Sequence, residues 1–109
     1  LQDVINAYGG AIPQIFGVPV EEIVRGIKSG GRKVNVDTDC RMAITGAIRK
    51  LFAENPKEVD PRKYLKPAIE EMQKVCEARY EAFGAAGHAD KIKVIPMSEM
   101  AKRYASGEL

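Results

Sequence analysis

The feature that most constrains this chain is one alternating segment, residues 32–39, set between longer helical patterns. Val34 and Val36 would face one side of a strand and Asn35 and Asp37 the other, because side chains alternate along a strand. The long apolar patterns on either side have helical spacing. A single strand cannot bury itself, so the pattern predicts an α/β fold whose remaining strands lie outside this sequence.

Five helices are predicted from apolar residues that recur every three or four positions. They cover residues 1–8, 19–28, 38–54, 61–83 and 96–104. In the fourth helix, Asp60 is the predicted cap and Pro61 the first residue, and Pro67 predicts that the first turn or two are bent or form a separate segment. Its apolar stripe requires a partner surface. The stripe consists of Leu65, Ile69, Met72, Cys76, Tyr80 and Phe83.

Length and charge exclude several classes of protein. At 109 residues the chain is one modest domain, too small for a whole barrel, which needs about 200 residues or more. Its 17 Lys and Arg nearly balance its 15 Asp and Glu. The most basic cluster has glutamates nearby and no interleaved aromatic residues, so nucleic-acid binding is not expected. That cluster is Arg25, Lys28, Arg32 and Lys33.

The expected compartment is the cytoplasm. The sequence contains no apolar run long enough to cross a bilayer, and residues 1–16 lack the features of a signal peptide. Cys40 and Cys76 form no CxxC pattern, which indicates a reducing environment. Because Leu1 already belongs to a helical pattern, we also expect this chain to be part of a longer polypeptide.

The polar residues at the end of the predicted strand have two interpretations. Asn35, Asp37 and Thr38 are ordinary cap and turn residues, but they would also face a ligand beside a helix N-terminus that can bind phosphate. Arg41 is either a solvated surface residue or the contact for a second anion. Arg62 opposes the dipole of its helix and lacks an evident local partner, which favours a ligand role.

No metal site is predicted in this chain. His88 is the single histidine, and no His, Cys or carboxylate group has the spacing of metal ligands. We therefore expect His88 to be a surface residue. Cys40 has no activating histidine nearby in the sequence and is interpreted as a passive small residue. Tyr64 and Tyr80 suit packing better than catalysis.

Several motifs in order resemble one enzyme family. They are Gly17-Val18-Pro19-Val20-Glu21-Glu22-Ile23, residues 32–39 with Arg41, Asp60-Pro61-Arg62-Lys63-Tyr64, Met100-Ala101-Lys102-Arg103-Tyr104 and Gly107-Glu108-Leu109. Together they closely resemble the C-terminal part of class II (zinc-dependent) fructose-1,6-bisphosphate aldolases, in the form common in bacteria with the Calvin-cycle enzyme. The resemblance implies the C-terminal part of a (β/α)₈ TIM barrel. Residues 1–59 would contain strand eight and its flanking helices, and residues 60–109 a helical extension for subunit contacts.

The resemblance also implies an activity, the reversible cleavage of fructose 1,6-bisphosphate to dihydroxyacetone phosphate and glyceraldehyde 3-phosphate in glycolysis, gluconeogenesis and the Calvin cycle. Zinc would polarise the ketone. The family's zinc ligands and catalytic acid/base would all precede Leu1, so no catalytic or metal-binding residue is expected in this chain, and the chain alone should be inactive.

Five residues match substrate-binding positions of the family. Asn35 would contact the reacting dihydroxyacetone unit, Asp37 the substrate hydroxyls and Thr38 the first phosphate. Arg41 would meet the far phosphate, and Arg62 would reach that phosphate from a neighbouring subunit. A homodimer or homotetramer is implied.

Three alternatives stay open at this point. Tagatose 1,6-bisphosphate aldolase has the same barrel and differs in the stereochemistry at one hydroxyl. Sedoheptulose bisphosphate is a further substrate to compare. A non-catalytic helical interaction module would use the stripe of the fourth helix as its partner surface.

Overall fold

The fold is a set of five α-helices, given by a computed structural model that describes residues 1–15 and 17–108. Phe16, and the Leu109 that ends the last motif, lie outside the described residues. In chain order the helices are α1 (Gln2–Ala7), α2 (Val20–Lys28), α3 (Thr38–Glu54), α4 (Pro61–Ala82) and α5 (Met97–Ser106), with a 3-10 turn at Ala89–Lys91. All five predicted helices are therefore confirmed, with ends that differ by a few residues.

The centre of the molecule is the antiparallel pair of α3 and α4. Small side chains let the two helices approach closely: Cys40, Ala43 and Ala47 are buried on α3, and Ala68 is buried on α4. At the other end of the pair, the rings of Phe52 and Tyr64 lie 5.1 Å apart at a tilt of 52°. The predicted packing role of Tyr64 is confirmed by this contact.

The short helix α1 packs across α3 at a buried glycine. Ile5 is only 2% exposed, and a Cβ built on Gly46 would lie 3.3 Å from Cγ1 of Val4. Arg49 of α3 donates from Nη1 to the carbonyl of Gly9, 2.9 Å away, just after α1 ends. The absence of a side chain at Gly46 therefore lets α1 lie close to α3.

Helix α4 begins as predicted but continues through its internal proline. The Asp60 carboxylate accepts a hydrogen bond from the Arg62 backbone N–H at 3.0 Å, and Pro61 is the first helical residue. The helix then runs unbroken past Pro67. A proline removes one backbone hydrogen bond, and the surrounding turns and the packing on α3 keep this segment helical. The expectation of a separate first segment was thus wrong.

The predicted strand is not formed. Residues 31–37 are neither helix nor strand, and no strand is assigned within residues 1–15 and 17–108. A strand exists only as part of a hydrogen-bonded ladder, and the described chain offers this segment no partner strand. The predicted junction is nevertheless in place, because Asp37 occupies the N-cap position of α3.

The chain exposes far more surface than a compact protein of its size. Its accessible surface is 8617 Å² and its radius of gyration 19.2 Å, whereas a compact monomer of this mass would have about 6,000 Å² and about 13 Å. On α4, Leu65, Ile69, Met72 and Tyr80 are 44%, 66%, 37% and 59% exposed. Most of the predicted stripe is therefore incompletely covered by residues 1–15 and 17–108. None of the described helices has the length and apolarity needed to span a membrane.

Candidate substrate-binding site

An open groove of about 410 Å³ lies in front of the N-terminus of α3. Three of the five predicted site residues, Asn35, Asp37 and Thr38, line it together, whereas Arg41 and Arg62 lie outside it. The remaining lining residues are Gly17, Val18, Ile23, Lys33, Val34, Val36, Asp39 and Arg79. The groove is therefore built from the segment before α3, the start of α2 and the end of α4.

The N-terminus of α3 has no side-chain cap. Asp37 occupies the N-cap position, but its carboxylate is engaged by Arg41, with Nε 2.9 Å from Oδ1 and Nη2 2.7 Å from Oδ2. Asp37 therefore occupies the cap position, but its side chain does not bond the free N–H groups of α3. Since a helix N-terminus leaves its first N–H groups without helical partners, those groups remain available to an anion beside the Thr38 hydroxyl.

Asn35 and Asp39 each have a basic partner at the groove. The Oδ1 atom of Asn35 accepts a hydrogen bond from Nζ of Lys33. The Asp39 carboxylate is held by Arg79 of α4, whose Nη2 lies 2.6 Å from Oδ2. Sequence reasoning missed Arg79. The two partners are 40 residues apart, and no local spacing rule connects them.

Charge pairs surround the groove. Among its lining residues, Lys33 and Arg79 balance Asp37 and Asp39, and Arg41 adds one positive charge just outside the lining, where it is paired with Asp37. Both carboxylates are already paired with an arginine. Without a ligand, the N-terminus of α3 therefore presents its backbone N–H groups beside two ion pairs rather than beside free carboxylates.

Arg62 is held by the residue that caps its own helix. Its Nε lies 3.0 and 3.2 Å from the two carboxylate oxygens of Asp60, and its Nη2 lies 2.8 Å from Oδ2. This arginine and the N–H of the same residue lower the pKa of the Asp60 carboxyl. The expectation that Arg62 lacks a local stabilising partner was wrong, because Asp60 supplies one.

The loop before α4 is also ordered by a carboxylate. Oε1 of Glu58 accepts hydrogen bonds from the backbone N–H groups of Val59 and Asp60, at 3.1 and 3.0 Å. Its other oxygen lies 3.5 Å from Nζ of Lys63. The bond from the Asp60 N–H is the main cause of a lowered pKa at Glu58. The side chain of Arg62 thus projects from a well-braced turn while remaining 90% exposed.

Arg62 and the groove lie at opposite ends of the helix pair. Arg62 precedes Arg79 by 17 residues in one continuous helix, so the two lie about 25 Å apart along α4. A single chain therefore does not bring Arg62 to a ligand in its own groove.

The described residues do not fit a catalytic metal. In the ranges 1–15 and 17–108, no three His, Cys, Asp or Glu side chains lie close enough to hold an ion. His88 is exposed and precedes the 3-10 turn. Cys40 is buried, and its burial, followed by the influence of Cys76 across the helix pair, raises the pKa of its thiol. The raised pKa agrees with the interpretation of Cys40 as a passive residue.

Comparisons with known proteins place this chain in a family. The family model described as fructose-bisphosphate aldolase class-II matches residues 15–88. The chain is 69% identical over 109 residues to fructose-bisphosphate aldolase 2 of Rhodobacter capsulatus, covering all of this chain and 96% of that protein. It is also 67% identical to fructose-bisphosphate aldolase 2 and 62% identical to fructose-bisphosphate aldolase 1 of Cereibacter sphaeroides, again over its whole length. It spans 31% and 30% of those two proteins. The chain therefore belongs to the class II fructose-bisphosphate aldolase family.

Proposed function

We propose that this chain supplies the substrate-binding end and a subunit-contact surface of an enzyme that reversibly cleaves fructose 1,6-bisphosphate to dihydroxyacetone phosphate and glyceraldehyde 3-phosphate. The observation that carries the proposal is the groove, where Asn35, Asp37 and Thr38 lie together beside a helix N-terminus. A sugar bisphosphate offers hydroxyl groups to the first two residues and a phosphate to the third. The cytoplasm, and a place in glycolysis, gluconeogenesis or the Calvin cycle, belong to the same proposal.

The class II aldolase family is a TIM barrel, in which active sites lie at the carboxyl ends of the strands. We assign residues 1–59 to the end of that barrel, with residues 32–37 as its eighth strand when neighbouring strands are present. Two observations support this assignment. The segment runs directly into α3, and it presents Asn35 and Asp37 to the groove. Residues 60–109 are then the helical extension.

Each groove residue has a role that suits its chemistry. The Asn35 amide both donates and accepts hydrogen bonds, which suits the oxygens of the reacting dihydroxyacetone unit. The Asp37 carboxylate accepts hydrogen bonds from substrate hydroxyls. The Thr38 hydroxyl and the first N–H groups of α3 bind the first phosphate.

The two arginines are assigned to the far phosphate. The pair between Arg41 and Asp37 is mostly exposed and therefore weak, so Arg41 can turn towards a phosphate at little cost. Arg62 is too far from the groove of its own chain, at about 25 Å along α4. We therefore assign it to the groove of a neighbouring copy, where a guanidinium already held in plane by Asp60 can bind phosphate with two N–H groups.

The surplus surface supports assembly with further protein. The chain exposes about 2,600 Å² more than a compact monomer of its mass, and the apolar side chains of α4 account for part of it. We propose that the rest of the barrel and a second copy cover this surface, in a homodimer or homotetramer. A free-standing helical interaction module would be expected to bury a core of its own. In residues 1–15 and 17–108, only five apolar side chains are buried, and four of them are small.

The family is generally zinc-dependent. Because the described residues do not fit a metal, we propose that the zinc ligands and the catalytic acid/base belong to parts of the enzyme outside this chain. The contribution of this chain is binding and orientation of the substrate.

The test uses a hybrid enzyme, defined as the Cereibacter sphaeroides fructose-bisphosphate aldolase 2 in which the matched residues are replaced by this chain. With zinc supplied, we expect the hybrid to cleave fructose 1,6-bisphosphate and the isolated 109-residue chain to show no turnover. An inactive but folded hybrid, or an active isolated chain, would contradict the proposal. Comparison of kcat/KM for fructose, tagatose and sedoheptulose bisphosphates identifies the preferred sugar, and we expect fructose.

A further inference from the structure

A half-buried ion pair connects the proposed phosphate end of α3 to the last turn of α4. Asp39 is the second residue of α3 and Arg79 lies in the last turn of α4. Their side chains are 32% and 24% exposed, and their charged atoms are 2.6 Å apart. This is a more shielded pair than those of Arg41 and Arg62, so its charges are screened less by solvent.

Asp39 poses an electrostatic problem for a phosphate site. Its carboxylate lies in the first turn of α3, beside the N–H groups that would receive a phosphate dianion, and like charges at this separation repel. Arg79 removes the problem, because its guanidinium engages the carboxylate and also lines the groove. Among the groove residues, Arg79 comes from α4, whereas the others come from residues 17–23 and 33–39.

We propose that Arg79 is a positioning residue for substrate binding. It neutralises Asp39 and fixes the first turn of α3, so that this turn accepts the substrate phosphate. This inference rests on the proposed function and extends it to a residue outside the motifs around the groove. In this role Arg79 acts through its positive charge and not only by packing α4 on α3.

The test compares variants of the hybrid enzyme. Arg79→Met keeps the length and apolar stem but removes the charge, and we expect it to raise KM for fructose 1,6-bisphosphate and the inhibition constant of inorganic phosphate about tenfold. Arg79→Lys keeps the charge and should recover most of that loss. Lys74→Met is the matched control, since it breaks an exposed pair with Glu71 away from the groove, and it should change neither constant.

The double variant Asp39→Asn with Arg79→Met separates two roles of Arg79. One role is to neutralise the charge of Asp39, and the other is to hold α3 against α4 through the ion pair. Both variants lack the ion pair, but only the single variant leaves an unpaired carboxylate. We expect the double variant to bind substrate and phosphate within about threefold of the parent hybrid. Thermal unfolding of the same variants measures how much the ion pair stabilises the fold.

The outcomes distinguish failure of the positioning role of Arg79 from failure of the proposed function. If the parent hybrid is active but Arg79→Met leaves both constants unchanged, or if the double variant binds as weakly as the single one, the positioning role is overturned while the proposed function stands. If Arg79→Met fails to fold, the double variant is compared with Arg79→Lys: similar binding supports charge compensation, and clearly weaker binding by the double variant overturns it. If the folded parent hybrid does not cleave the sugar, the proposed function fails and this inference fails with it.

Discussion

The guanidinium of Arg62 and the carboxylate of Asp60 form a two-point contact, with nitrogen to oxygen distances of 2.8 to 3.2 Å, across a single intervening proline. The same carboxylate caps α4 by accepting the backbone N–H of Arg62. Asp60 therefore both caps α4 and fixes the orientation of the Arg62 side chain. The arginine is exposed, but its direction is set before any ligand arrives.

Asp60 should support substrate binding by orienting Arg62. In the hybrid enzyme, Asp60→Asn can still cap α4 through its side-chain oxygen but loses the charge that holds Arg62. We expect KM for fructose 1,6-bisphosphate to rise by roughly fivefold to tenfold, while helix content by circular dichroism is unchanged. Asp90→Asn, in the 3-10 turn, is the control. Equal KM values for both variants would show that Arg62 needs no support from Asp60.

The pH dependence of the α4 start follows from the lowered pKa of Asp60. A carboxyl whose pKa is lower in the folded protein stabilises the fold above its ordinary value of 3.8, and that contribution is lost as the pH falls through the lower, folded value. We expect the NMR signal of the Arg62 amide to shift in that acidic window. In Asp60→Asn the titration should vanish. A midpoint at or above the ordinary value would contradict the Arg62 contact.

The thiol of Cys40 should react slowly. Burial raises its pKa, and the thiolate is the reactive species, so little of it is present near pH 8. We expect iodoacetamide to modify Cys40 at least about tenfold more slowly in the folded hybrid than in urea, as measured by peptide mass spectrometry. Similar rates in the two conditions would show that Cys40 is accessible.

The docking of α1 depends on Gly46. A valine there would push into Val4 and Ile5, because even a Cβ would lie 3.3 and 3.5 Å from their side chains. We expect Gly46→Val to destabilise the hybrid by about 1–3 kcal/mol, the usual cost of overpacking. Gly26→Val is the matched control, since Gly26 is also helical but has nothing within 4 Å of a built Cβ. Equal losses in thermal unfolding would contradict the proposed packing.

Local signals in the sequence located the helices well. Asp60 and Pro61 mark the start of α4 because a cap is an interaction between near neighbours, and Glu54 ends α3 just before Asn55 and Pro56 for similarly local reasons. The strand at 32–37 could not be realised in this chain, because a ladder needs a partner segment that local sequence does not supply.

The site was only partly predictable for the same reason. Asn35, Asp37 and Thr38 are close in sequence and lie together in the groove, whereas Arg79 comes to Asp39 only after α4 has folded back on α3. The partner of Arg62 was within reach of sequence reasoning. Asp60 stands two positions earlier, where an arginine side chain can fold back onto it.

We propose that the groove of one copy is completed by Arg62 of another, and subunit complementation tests this arrangement most directly. Two inactive hybrid enzymes, Asn35→Ala and Arg62→Ala, are unfolded, mixed in equal amounts and refolded together. In a mixed dimer, the Arg62→Ala subunit keeps its own Asn35 and receives Arg62 from its partner. We predict recovery of about one quarter of the parental activity in a random dimer mixture. No recovery from refolded mixed dimers, with each variant inactive alone, would contradict the account.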